Sequence, residues 1–128
     1  MGKLVAVEGA TLLQDDPNVV CTISPTGAPS ATCKAEGSRV LKDGYTVSVS
    51  NITVPSAGAT IPDPGPYVVG FETTATKVKA DGTLVLLLND KTATINAIPQ
   101  IPGSPNTPYP VGFKIEITDA GQTKVKAV

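Results

Sequence analysis

The sequence predicts an all-β fold built from a repeated unit, and three observations lead there. The first is self-similarity. Tyr67-Val68-Val69-Gly70-Phe71-Glu72 returns as Tyr109-Pro110-Val111-Gly112-Phe113-Lys114, and Thr76-Lys77-Val78-Lys79-Ala80 returns as Thr123-Lys124-Val125-Lys126-Ala127. Both pairs keep their order, with five more residues between the motifs in the second copy. A weaker echo sets Arg39-Val40-Leu41-Lys42-Asp43-Gly44 against Lys77-Val78-Lys79-Ala80-Asp81-Gly82. Repetition over tens of residues marks a supersecondary unit that cannot bury its apolar face alone, and three units suggest a pseudo-threefold object made by one chain. The second observation is punctuation. The chain has 12 Gly and 12 Pro, only 83–98 is a long stretch free of both, and no window holds apolar residues at helical spacing for three turns. The third is period-two alternation, as in Phe113, Ile115 and Ile117 against Lys114 and Glu116. By length, residues 1–128 form a single β domain.

The elements can be taken in order. Asp15-Asp16-Pro17-Asn18 reads as a turn with Asx-type hydrogen bonding. Asp43-Gly44 lies between strand-like runs and predicts a hairpin over about 38–49, because Asp-Gly tolerates the positive φ of a primed turn. Val47 and Val49 alternate with Ser48 and Ser50, then Ile52 and Val54 continue in the opposite phase, so a bulge or layer crossing is expected at Asn51. Four prolines between Pro55 and Pro66, and five between Pro99 and Pro110, predict ordered Pro/Gly-rich crossover loops rather than strands. Asp81-Gly82 predicts a second hairpin over about 76–88. A third turn is expected at Asn89-Asp90-Lys91, pairing Leu84–Leu88 with Thr92–Ile98. The run Leu84-Val85-Leu86-Leu87-Leu88 is apolar on both faces, so it is buried on both sides or covered by a partner.

Composition excludes several chemistries. With no histidine, the commonest general base and transition-metal ligand is missing, and neither a Ser/His/Asp nor a Cys/His arrangement can be built. The carboxylates that could pair for glycoside hydrolysis, Asp15, Asp16, Glu36, Asp63 and Glu72, lack aromatic subsites in a chain with five aromatic residues. Asp15-Asp16 lacks the alternating ligands of a calcium loop, and Gly9, Gly27 and Gly37 precede no helix that could cradle phosphate. Lys77/Lys79 and Lys124/Lys126 each put like charges on one strand face, which reads as an edge kept from aggregating. Cys21 and Cys33 could close a loop, yet their default state is reduced and partly buried. The net charge of −1 without a basic patch argues against nucleic acid. No run is long enough to span a membrane or form a signal peptide, so the expectation is synthesis in the cytoplasm. No catalytic, cofactor-binding or metal residue is assigned, and the expected class is non-enzymatic.

A resemblance sharpens this reading. Glu8-Gly9-Ala10-Thr11-Leu12, Ile23-Ser24-Pro25-Thr26-Gly27-Ala28-Pro29-Ser30-Ala31 and the turn Val40-Leu41-Lys42-Asp43-Gly44-Tyr45 resemble the opening and the strand-and-turn modules of the proline-alanine-alanine-arginine (PAAR)-like spike-tip proteins of contractile injection systems and contractile phage tails. The resemblance implies a small pseudo-threefold cone of β-hairpins that caps a trimeric β-helical spike of the valine-glycine repeat type, one tip per trimer. Such a tip is assembled into an injection particle, delivered outside the cell, touches the target membrane transiently, and leaves room for an effector cargo. Typical members hold zinc through histidines and a cysteine; that site is not carried over, because this chain has no histidine. The residues expected to matter are structural: Gly44 and Gly82, the pairs Gly70/Phe71 and Gly112/Phe113, and Leu84–Leu88. The alternative is a virion decoration or fibre-base β protein that self-trimerises. A secreted carbohydrate-binding β-sandwich is a third class, disfavoured by the missing tryptophan.

Overall fold

The computed structural model describes residues 2–128 and is all-β, with no α-helix among the described residues. The first strands in chain order are β1 (Lys3–Leu4), β2 (Thr11–Gln14), β3 (Val20–Pro25), β4 (Lys34–Ala35), β5 (Ser38–Arg39) and β6 (Thr46–Val54). A 3-10 turn at Pro55–Ala57 leads to β7 (Ala59–Asp63), β8 (Tyr67–Glu72), β9 (Lys79–Ala80), β10 (Thr83–Leu84) and β11 (Lys91–Thr92). The remainder are β12 (Ile95–Ala97), β13 (Gln100–Ile101), β14 (Thr107–Pro108), β15 (Val111–Phe113), β16 (Ile115–Asp119) and β17 (Lys126–Ala127).

Three short hairpins share one pattern. β4–β5 turns through Glu36-Gly37 with φ of 50° and 83°, and β9–β10 through Asp81-Gly82 with φ of 51° and 81°, the paired positive angles of a type I′ turn. The third hairpin is assembled from the two ends of the sequence. β17 pairs with β1 so that Ala127 faces Lys3, as Ala35 faces Ser38 and Ala80 faces Thr83. The equivalence continues into the residues that follow. Leu41 N–H donates to Ala6 O, Ala6 N–H to Leu86 O and Leu86 N–H to Leu41 O, each at 2.9 Å, so the bonds close on themselves. The bridges Val5–Leu87, Val40–Val7 and Val85–Lys42 run the same way round. Three tight turns then end the three runs: Ala10, Tyr45 and Asp90 donate their N–H to Val7, Lys42 and Leu87 O, over Gly9, Gly44 and Asn89 with φ of 91°, 84° and 74°.

This ring is a wall between two cores. Ala6, Leu41 and Leu86 face a large cluster that includes Val47, Val49, Ile52, Phe71, Ile95, Phe113, Ile115 and Ile117. Their neighbours Val5, Val7, Val40, Val85 and Leu87 face a smaller cluster lined with Ala35, Ala75, Ala80 and Ala127. Successive side chains of a strand point to opposite faces, so one run of five apolar residues serves both cores. Beyond the ring lies the main sheet, ordered β14-β13-β7-β6-β8-β11-β16-β2, with β3 also on β6.

The change of phase at Asn51 is a real irregularity. Asn51 has φ of 52°, and β6 pairs with β8 through 46–49 and with β7 from Ile52, which keeps Val47, Val49, Ile52 and Val54 all buried. The alternation at 113–117 also buries Phe113, Ile115 and Ile117, with a change of partner at Lys114 from β12 to β2. Asp81-Gly82 is a hairpin turn as expected.

Five expectations need correcting. Asp43-Gly44 is a turn, but it joins no hairpin over 38–49: β5 pairs with β4, while β6 pairs with β3, β7 and β8. Its backbone has one positive φ, at Gly44, so it redirects the chain from the ring into the sheet. The same holds for the turn near Asn89: Leu84–Leu88 does not pair with Thr92–Ile98, and β11 lies instead between β8 and β16. The third repeat is displaced, since Lys34-Ala35-Glu36-Gly37 matches Lys79-Ala80-Asp81-Gly82. The proline clusters carry strands β7, β13 and β14 and extend the sheet sideways, with Pro62 inside β7 and Pro108 in the edge strand β14. Finally, the two Tyr-x-Val-Gly-Phe copies make different contacts. Gly70 pairs with Thr46, two residues past Gly44, whereas Gly112 pairs with Asn96, seven past Asn89. Glu116, not Gly112, pairs with Lys91, two past Asn89. Phe71 and Phe113 nevertheless share one core.

Candidate functional site

Most of the aspartates sit within local hydrogen-bond arrangements. Asp16 caps its own turn, with Asn18 N–H donating to Oδ1 at 2.9 Å, the Asx geometry expected from the sequence. Asp15 ties distant strands together: it accepts from Lys114 N–H at 2.9 Å and faces Lys91 Nζ at 3.3 Å. Asp63 joins the two proline-rich segments by accepting from Gly65 N–H, Ile98 N–H and Tyr67 Oη. Burial pushes the Asp63 carboxyl up, but these three bonds outweigh it and hold the group below the usual carboxylate range. The same contact raises the Tyr67 phenol.

One depression, about 290 Å³ and open to solvent, is lined by Glu72, Thr73, Thr74, Asn89, Asp90, Lys91, Thr92 and Lys114. Two of its charged groups, Asp90 and Lys91, are engaged within the fold. Asp90 is buried, with Oδ2 taking Leu87 N–H at 2.8 Å and Oδ1 taking Thr74 Oγ1 at 2.6 Å and Thr74 N–H at 3.3 Å. Lys91 is turned to Asp15. This set braces a turn and aligns no acid–base pair on a bound molecule. Cys21 and Cys33 are unpaired, partly buried and attached to different cores. Burial pushes the Cys21 thiol up, away from the thiolate that nucleophilic chemistry needs. Among the described residues no three Cys, Asp or Glu side chains come together as a metal site, and no helix is long and apolar enough to cross a membrane.

The arrangement with the most organisation is the set of hairpin tips. Asp81, at the tip of β9–β10, reaches the segment that leads into β4: it accepts from Ser30 Oγ at 2.8 Å, Thr32 Oγ1 at 2.5 Å and Ala31 N–H at 3.1 Å, with Lys42 Nζ at 3.5 Å. Glu36, at the tip of β4–β5, accepts from Thr123 N–H at 3.1 Å in the segment that leads into β17. Closing the circle, Val128 O accepts from Thr76 and Lys77 N–H at 3.1 and 3.2 Å, in the segment that leads into β9. Each tip thus latches the neighbouring unit.

The Asp81 latch has a pH signature. The Thr32 and Ser30 hydroxyls, helped by Ala31 N–H and Lys42 against a small opposing effect of burial, lower its carboxyl to about 2. A carboxyl held below its unfolded value stabilises the fold above the unfolded pKa of about 4, and that contribution is lost as pH falls through about 2. Urea midpoints of the natural chain should therefore exceed those of Asp81→Asn at pH 6 and converge with them near pH 2. A gap that persists unchanged at pH 2 would show that the latch is independent of charge.

Gly44 and Gly82 occupy turns that require positive φ, and Leu84–Leu88 is sealed by the protein's own two cores, so that strand needs no partner to cover it. Gly70 and Gly112 lie in different strand pairs, as described. The motif reading found Lys79-Ala80 and Lys126-Ala127 and missed the third copy, Lys34-Ala35, which with them marks one strand of each of the three hairpins. Comparison with protein-family models, with curated proteins and with solved structures finds no match to this chain.

Proposed function

We propose that this protein is a structural spike tip: a small pseudo-threefold cone that caps the trimeric β-helical spike of a contractile injection system and aids puncture of the target membrane. The observation that carries the reading is the closed ring Ala6–Leu86–Leu41, in which one chain supplies three equivalent strands, three equivalent turns and three latches. A monomer of that kind can sit on a threefold axis, because three similar edges meet three identical ones. The role needs no catalysis. A body whose three hairpins are latched to one another around a closed ring is braced to transmit axial force, and such a tip would be assembled into the particle in the cytoplasm and carried outward by it.

The test is stoichiometry. In light scattering, the protein alone should run as a monomer, and when expressed together with a trimeric spike protein of a contractile injection system it should form a complex of one copy per three spike chains. A stable homotrimer that ignores the spike would move the protein to the decoration or fibre-base class.

A further inference from the structure

The geometry points to the three hairpins as the docking collar, with Lys34, Lys79 and Lys126 each meeting a carboxylate of a threefold-symmetric acidic partner. This rests on the spike-tip reading and names the surface through which it works. β4, β9 and β17 each pair with one strand only, so each hairpin keeps an open outer edge. Such an edge is a template for strand addition, and the lysine on it discourages pairing with anything that brings no negative charge. The three lysines are exposed and occupy equivalent register positions, opposite Arg39, Leu84 and Leu4.

Charge is segregated along the molecule. Of the ten Lys and Arg residues, only Lys91 and Lys114 lie outside the hairpins, their lead-in segments and the strand runs that follow them. The hairpins and their lead-in segments carry Lys3, Lys34, Arg39, Lys77, Lys79, Lys124 and Lys126 against Glu36 and Asp81, whose carboxylates are turned into the latches, so the collar is cationic. The sheet end holds Asp15, Asp16, Asp63, Glu72, Glu116 and Asp119. A net charge of −1 conceals this separation.

Symmetry argues the same way. The equivalent bonds belong to the hairpins and the ring, whereas the sheet carries proline-rich extensions on two of its three parts, after β6 and after β12. A threefold partner can satisfy three like sites on the collar and cannot do so on the sheet. Complementary charge would steer the encounter and fix its register, with weaker binding as salt rises.

The experiment compares the natural chain with K34E/K79E/K126E and K34R/K79R/K126R, using the purified trimeric spike protein as the probe and thermal melts to confirm that each variant folds. Expected results are retention of docking by the arginine variant, and a loss of about 100-fold or more for the glutamate variant, from three like-charge encounters. Equal docking by the glutamate variant would overturn the collar assignment and leave the spike-tip reading intact. Binding of the natural chain to phosphatidylglycerol vesicles through these lysines, with spike docking unaffected by their reversal, would also overturn it, making the collar a membrane-facing surface. No docking by the natural chain would remove the spike-tip reading and this inference with it.

Discussion

Leu86→Asp should give no folded protein. Leu86 is fully buried, its side chain lies in the larger core, and both of its backbone groups belong to the three-membered ring. A carboxylate there would face Val, Ile and Phe side chains with no cation or donor, and an unpaired buried charge costs more than a domain of this size has to lose. Leu86→Ala separates packing from charge: it removes the side chain, leaves the ring bonds possible and should cost about 2–5 kcal/mol. Circular dichroism and urea denaturation check both. A folded Leu86→Asp chain that merely fails to dock would mean that this strand faces a partner instead of the protein's own core.

Asp90→Asn should cost about 2–3 kcal/mol although the two side chains are nearly the same shape. The Asp90 carboxylate receives donors on both oxygens, Leu87 N–H on one and two Thr74 groups on the other. An amide accepts through one oxygen only. Its NH2 must then point at the buried Leu87 N–H, or at Thr74, whose hydroxyl can accept it while the part-buried Thr74 N–H loses its acceptor. The loss should appear as a lower urea midpoint with unchanged slope. A stability within 0.5 kcal/mol of the natural chain, the range of ordinary surface substitutions, would refute the account.

Much of the fold was legible where a residue's local need and its tertiary role coincide. Asn51 interrupts an alternating pattern because β6 changes partner there, and the pattern shows the change directly. Asp81-Gly82 needs positive φ for a two-residue turn and finds it. Asp43-Gly44 carries the same letters with another outcome, since an Asp-Gly pair also suits a turn with one positive φ, and the pairing of its flanks is decided by the ring. The third hairpin was hidden because a linear reading cannot see a repeat that begins at residue 126 and resumes near residue 3. Read as a circle, Lys126-Ala127 followed by Leu4-Val5 matches Lys79-Ala80 followed by Leu84-Val85. Lys79 and Lys126 were visible as charges on strand edges, and Lys34 was not. Their equivalence became visible only once all three Lys-Ala strands were placed.

The hairpin made from the two ends has a kinetic consequence. A two-residue turn closes a loop locally and quickly, but the pairing of Leu4 with Lys126 waits for nearly the whole chain. Until then β1 has no partner strand and the smaller core lacks Ala127. On the ribosome the smaller core therefore cannot close before β17 emerges. Sheet segments formed earlier must wait with one core open, so completion comes in one late, cooperative step.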